Sequence, residues 1–308
     1  MKRRSSRTVS HRAAPNGLEP ILKSKNEQSA AAGLYVVATP IGNARDVTLR
    51  GLDVLKACDL IAAEDTRVTA KLLAMYGISR PLTAYNDYNA DKERPRLLAR
   101  LREGARIALV SDAGTPLISD PGYKLVTEAI AEGLPLHTVP GASSVLAALT
   151  VAGLPTNRFF FAGFLPSKSS GRQRALERLK GFDSTLVLFE APQRLAESLA
   201  DMRDVLGMRD AAVARELTKF HEEVRRDDLV SLAAHYASAG TPKGEIVIVL
   251  GPPSETERDS AKVNSLLEKA LRFMPLRSAV DLVGEALELP RSQVYDQALV
   301  IKSKNEGV

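Results

Sequence analysis

The chain has 308 residues, 44% apolar and 26% charged, and no apolar run is long enough to cross a membrane. A single cysteine, Cys58, excludes a disulfide framework and any cysteine-rich metal site. The net charge of +5 is local: residues 1–32 hold seven of the 42 Lys and Arg against two of the 37 Asp and Glu, and the remaining 35 and 35 cancel. A nucleic-acid partner must therefore be argued from local clusters and not from the total.

Residues 1–32 are rich in Arg, Ser and Lys and have no apolar periodicity. They read as a disordered basic tail without the apolar segment of a secretory signal, and a cytoplasmic protein is expected. From Leu34 onward strands alternate with helices. Strand-like runs fall at 34–39, 60–63, 107–110, 136–139, 159–162, 185–189, 211–214 and 245–250. Stretches with helical spacing, such as Leu97, Leu98, Leu101 and Leu195, Leu199, Met202, lie between them. That alternation predicts an α/β fold with crossover helices and largely parallel sheets. A break at Leu154-Pro155-Thr156 divides it into two expected domains, 33–153 and 154–253. Residues 254–260 read as a polar linker into a C-terminal helix-turn-helix module, with Pro290 opening its second helix. Residues 255–308 carry eight Lys and Arg against nine Asp and Glu. That balance argues against a reader of duplex DNA.

Three turns built from small residues follow strands. Ala38-Thr39-Pro40-Ile41-Gly42-Asn43 follows the first. Ala113-Gly114-Thr115-Pro116 sits inside the stretch IALVSDAGTPLISDPG, and Pro140-Gly141-Ala142-Ser143-Ser144 precedes an apolar helix. Small side chains leave main-chain groups bare at strand ends, where open α/β sheets bind ligands. Ser143 or Ser144 equally reads as a helix cap. Together the turns point to a nucleotide-like ligand. The dinucleotide fingerprint is absent, since no two glycines are separated by a single residue, and so is a GxxxxGK[ST] loop. The four histidines show no metal-ligand spacing, and no metal is expected.

From Leu34 to Leu250 the chain resembles the tetrapyrrole methylases, class III methyltransferases, and more specifically the ribosomal RNA small-subunit methyltransferase I family. The stretches that carry the resemblance are VATPIGNARDVTLR, AEDTR, SDAGTPLISDPG, VPGASS, FAGFLP, FEAPQRL, ARELTKFHEEV and KGEIVIV, in that order. The resemblance implies S-adenosylmethionine bound between two domains, methylation of a cytidine 2′-hydroxyl in 16S ribosomal RNA or the small subunit, and a homodimer. It implies cofactor contacts at Pro40, Ala113, Gly114, Thr115, Ile118, Ser143, Ser144, Glu190 and Leu217. The chain departs from the wider superfamily in having Gly114-Thr115-Pro116 for Gly-Asp-Pro and Leu217-Thr218 for Gly-Thr. Both departures point away from porphyrin substrates.

A ribose hydroxyl gains from a general base or a nearby cation. Polar residues at predicted strand ends are the candidates: Glu64, Asp65 and Arg67, Asp112, Glu190 and Arg194, and Glu216 and Lys219. The pairs Glu64/Arg67 and Glu190/Arg194 read equally as structural ion pairs; Asp65 and Glu190 are favoured as bases. For RNA phosphates, the segment 158–182 carries Arg158, Lys168, Arg172, Arg174, Arg178 and Lys180 against Glu177, with a Ser-Ser-Gly tip that reads as flexible. Asn86 in YNDYN is a candidate contact to a splayed-out base, or only part of a turn. The competing readings are a small-molecule methyltransferase and a non-catalytic ribosome-assembly factor.

Overall fold

A computed structural model of the chain describes residues 31–306. The basic tail expected at 1–32 thus lies almost wholly outside the described residues.

The first lobe is built on five strands: β1 Gly33–Val37, β2 Leu60–Ala63, β3 Leu82–Ala84, β4 Arg106–Val110 and β5 Leu136–Val139. They lie in the order β3-β2-β4-β1-β5, and every pair is parallel. Successive side chains on a strand point to opposite faces, and helices cover both faces here, so these strands read as unbroken apolar runs. Tyr35 and Val37 join one buried cluster with Val54, Leu55 and Leu73; Leu34 joins another with Leu97, Leu101 and Leu125. The covering helices are α1 Leu49–Ala57, α2 Thr66–Met75, α3 Ala90–Arg102 and α4 Tyr123–Ala131. Cys58 is fully buried at the end of α1, and burial pushes its thiol up to about 12, which leaves it inert. The strand order has a functional effect. It places β4, β1 and β5 side by side, so the three small-residue turns, up to a hundred residues apart in sequence, meet at adjacent carboxyl ends.

Helix α5, Ser144–Ala152, leaves the third turn and packs against the second lobe. It ends at Gly153, whose φ of 74° closes the helix in the left-handed conformation. The second sheet contains β6 Phe159–Phe164, β7 Thr185–Glu190, β8 Asp210–Arg215, β9 Glu223–Asp228 and β10 Ile246–Leu250, in the order β6-β7-β10-β8-β9. Only β6 and β7 pair parallel; the other three pairs are antiparallel. The alternation of strands and helices predicted largely parallel sheets, and the hairpin from β8 to β9 explains why the second is mostly antiparallel. It reverses the chain, so β10 enters the middle of the sheet antiparallel to both neighbours. Helices α6 Ser169–Leu179, α7 Leu195–Leu206 and α8 Leu229–Ser238 cover the outer face with a core that includes Leu176, Leu188, Leu199, Leu232 and Ile248. Helix α5 covers the inner face through Val145, Ala148 and Leu149 against Val187, Ala212 and Val249. One apolar cluster therefore ties the two lobes together.

Three further helices, α9 Glu255–Ala270, α10 Leu276–Ala286 and α11 Arg291–Glu306, close on their own core of Val263, Leu267, Val280, Val283, Val294 and Ala298. The polar stretch expected as a linker is the start of α9. Pro275 and Pro290 stand immediately before α10 and α11, where a missing N–H costs nothing.

Candidate functional site

The three turns are stitched to one another by hydrogen bonds to main-chain groups. Thr39 and Gly114 exchange N–H···O bonds of 2.8 and 3.1 Å, and the Thr115 hydroxyl donates to the Ala142 carbonyl at 3.2 Å. Close approach demands small residues: a Cβ on Gly114, whose φ is 76°, would sit 3.3 Å from Ile41, and one on Gly141 would sit 3.0 Å from the Ala38 Cβ. Ser143 caps α5 by accepting from the Leu146 N–H at 3.5 Å.

Over these turns lies a cleft of about 340 Å³. From the first lobe it is lined by Ala113, Gly114, Thr115, Ile118, Ser119, Asp120, Ser143 and Ser144. From the second it is lined by Phe164, Phe189, Glu190, Gly244, Glu245, Ile246 and Val247. Seven of the nine residues proposed as cofactor contacts thus face one space. Pro40 and Leu217 do not line it. Leu217 is turned into the cluster shared by the lobes, 7% exposed, between Glu216 and Thr218, which have positive φ. The loop carrying it also grips the first turn, since Thr218 Oγ1 accepts from the Asn43 N–H at 3.1 Å and Lys219 lies where a side chain on Gly42 would be.

The candidate bases fare differently. Glu64, Asp65 and Arg67 follow β2, one strand beyond β4, and do not line the cleft. Asp65 caps α2 and is held by Arg67, with Nε 3.0 Å from Oδ1 and Nη2 2.6 Å from Oδ2; the Arg67 hydrogen bonds hold its carboxyl down at about 2. Its carboxylate is thus engaged as the cap of α2, outside the cleft. Glu190 is in the cleft wall but 3% exposed, and three donors hold it: Ala191 N–H at 2.7 Å, Arg194 Nη2 at 2.5 Å and Ser198 Oγ at 2.5 Å. Glu190 and Arg194 form an ion pair at the cleft wall. Glu64 instead accepts from the Asp112 N–H at 3.3 Å, and Asp112 accepts from the Asp65 N–H at 3.0 Å. Lys219 bridges Glu216 at 2.8 Å and Glu245 at 3.1 Å.

Among the RNA candidates, Arg172 requires correction. Its side chain is 1% exposed and bonded to Asp201 at 2.6 Å, so it faces the core of the second lobe. Lys168, Arg174 and Arg178 are exposed, and the Ser-Ser-Gly segment expected to be flexible is the first turn of α6. Asn86 is engaged both in its own turn and with the end of β2. It donates to the Glu64 carbonyl, and its side-chain oxygen accepts from the Tyr88 N–H. The sequence reading overlooked Asp120 and Glu245. Asp120 belongs to the SDPG that ends the central motif, where the following Pro121-Gly122 marks a turn and masks it. Among the described residues no group of three or more His, Cys, Asp or Glu could hold a metal ion.

Two α/β lobes meeting over bare strand ends are an architecture shared with solved methyltransferases. A uroporphyrin-III C-methyl transferase from Thermus thermophilus, complexed with S-adenyl homocysteine, matches with a TM-score of 0.50 and 19% identity over 70% of this chain and 96% of its own. Diphthine synthase matches at 0.55 and 18% identity, over 71% and 89%. At these identities the likeness is one of fold. The family description Tetrapyrrole (Corrin/Porphyrin) Methylases covers residues 33–233, and the description RsmI C-terminal HTH domain covers 257–302. The ribosomal RNA small subunit methyltransferase I of Mesorhizobium japonicum is 49% identical over 276 residues, 89% of this chain and 94% of its own length. That of Pseudomonas aeruginosa is 43% identical over 281 residues, 90% and 100%. The chain belongs to the tetrapyrrole methylases and, within them, to the ribosomal RNA small subunit methyltransferase I family.

Proposed function

We propose that the protein methylates the 2′-hydroxyl of a cytidine ribose in 16S ribosomal RNA, with S-adenosylmethionine as donor, in the cytoplasm and as a homodimer. The observation that carries the reading is the cleft: small-residue turns from three adjacent strand ends on one side and the apolar wall of a second lobe on the other. The relatives' names supply the RNA class.

The cleft fits the donor. Its volume suits a nucleoside with a short side chain. Ile118 and Val247 offer apolar surface for a purine ring. The turn groups at Ala113, Thr115 and Ser143, with the amino end of α5, offer polar partners. When bound, the cofactor supplies a methyl group already activated on a sulfonium. The chain's residues then have to position the acceptor oxygen in line with it and exclude water.

Mapping 2′-O-methylation by reverse-transcription stops at low dNTP, on 16S RNA from deletion and parent strains, tests the assignment. A missing stop in the deletion strain supports it, and identical patterns sink it. Gly114→Val introduces a β-branched residue at positive φ and presses on Ile41. Strain of about 1–2 kcal/mol predicts roughly 10-fold weaker S-adenosylmethionine binding by titration calorimetry. The exposed guanidinium groups of Arg174 and Arg178 on α6 suit backbone phosphates. Removing both as alanines should make the slope of log affinity against log salt for single-stranded RNA shallower by about 1.4. An unchanged slope takes α6 out of the RNA path.

A further inference from the structure

Three carboxylates line the cleft: Asp120, Glu190 and Glu245. Glu190 is ion-paired to Arg194 and Glu245 to Lys219, whereas Asp120 has no ion pair among the described residues, and Ser111 is its hydrogen-bonding neighbour. The segment that presents it is under backbone strain. Leu117 and Ser119 have φ of 75° and 67°, conformations that L side chains adopt only where the surroundings impose them. Opposite, the register of β6 shifts between Phe161 and Gly163, and a Cβ on Gly163 would come 3.4 Å from Ser119 Oγ. Ser119 thus lies against the second lobe beside this register shift, at the cleft wall. Strain of this kind clusters where a side chain must be aimed.

We propose that Asp120 is the general base of the methyl transfer, accepting the proton of the acceptor hydroxyl; this rests on the ribose-methylation reading above. In the step, the acceptor oxygen forms its bond to the methyl carbon as the carbon–sulfur bond breaks. The electron pair of that bond stays on sulfur, which becomes a neutral thioether, and the hydroxyl proton passes to Asp120 and then to water. Burial raises the Asp120 carboxyl to about 6, with the negative charges of Glu64 and Asp112 adding to the rise. Across the cleft the facing charges are Glu190 with Arg194 and Glu245 with Lys219. A carboxylate poised there is ionised at neutral pH and still a better proton acceptor than an exposed one.

The test compares wild-type protein, Asp120→Asn and Asp120→Glu in single-turnover methylation of unmodified 16S RNA in small subunits at saturating S-adenosylmethionine, from pH 5 to 9. Calorimetry of S-adenosylmethionine binding and the carboxyl ¹³C titration of Asp120 are measured in parallel. The wild-type rate should climb with pH through about 6 and then level, and the Asp120 resonance should titrate in the same range. Asp120→Asn should lose roughly 10²–10⁴-fold in rate and lose the inflection, while Asp120→Glu recovers part of the rate. S-adenosylmethionine affinity should stay within about 3-fold, and the Asn variant should melt higher at pH 7, because a desolvated charge has gone. An Asn variant within about 5-fold of the wild-type rate overturns the proposal, as does a loss of rate that merely tracks a loss of cofactor affinity. A wild-type protein that binds the cofactor but leaves the ribose unmethylated overturns the functional reading first, and Asp120's role with it.

Discussion

Replacing Arg172 by alanine should destabilise the protein by about 3–5 kcal/mol, because it leaves the Asp201 carboxylate buried without its partner. Asp201 accepts from Arg172 Nε at 2.6 Å, Gln173 at 2.7 Å and Ser169 at 2.9 Å, and Arg172 Nη1 donates to the Ser167 carbonyl at 3.1 Å. The cluster joins the start of α6 to the middle of α7. Burial pushes the Asp201 carboxyl up, but the hydrogen bonds from Gln173, Ser169 and Arg172 outweigh it and hold it below its ordinary value. A depressed carboxylate contributes stability that is present above its unfolded value and is lost as pH falls through the folded one. The deficit of Arg172→Ala should therefore be full at pH 7 and shrink in acid. Urea denaturation at pH 7 and pH 4 reads both, and the folded fraction should bind RNA with an unchanged salt slope. A stable variant with a shallower slope would return Arg172 to the RNA surface.

Glu190→Ala should be comparably damaging, by about 3–5 kcal/mol. The carboxylate ends β7 and ties that end to Arg194 and to Ser198 on α7, and its removal strands a guanidinium with 22% side-chain exposure. Glu190→Gln retains an acceptor for Ala191 N–H and Ser198 Oγ and should cost less, about 1–3 kcal/mol. Chemical denaturation of the two variants checks the ranking. Equal stability for both, or none lost, would show that these bonds do not hold the strand end.

The first lobe was legible because its strands are buried on both faces. Runs such as IALV and LIAA have few other places to go, and the turns between them carry the Gly and Pro that mark strand ends. The two strands missed are both at sheet edges. β3 is three residues, Leu82–Ala84, and β9, EVRRDD, has charged side chains on its exposed edge and no apolar alternation to reveal it. Missing β9 hid the hairpin, and with it the antiparallel half of the second sheet. The site was half legible for a similar reason. Small residues at strand ends announce themselves, but whether a charge works in a cleft or in a core depends on distant partners. Arg172 depends on Asp201, twenty-nine residues further along, and that pairing does not show in local spacing. Asp120 was hidden by the Pro121-Gly122 beside it, which reads as a chain break.

The position of β10 governs the order in which the molecule can be assembled. The first sheet has all its strands once synthesis reaches Val139, so it can form while the rest of the chain is still emerging. The second sheet has no middle until Ile246–Leu250 slots between β7 and β8, since these two strands touch β10 and not each other. A nascent protein halted before residue 246 would hold a finished lower jaw and an upper one split down the centre. Ile246 and Val247 also line the cleft, so its second wall is completed only near the end of translation.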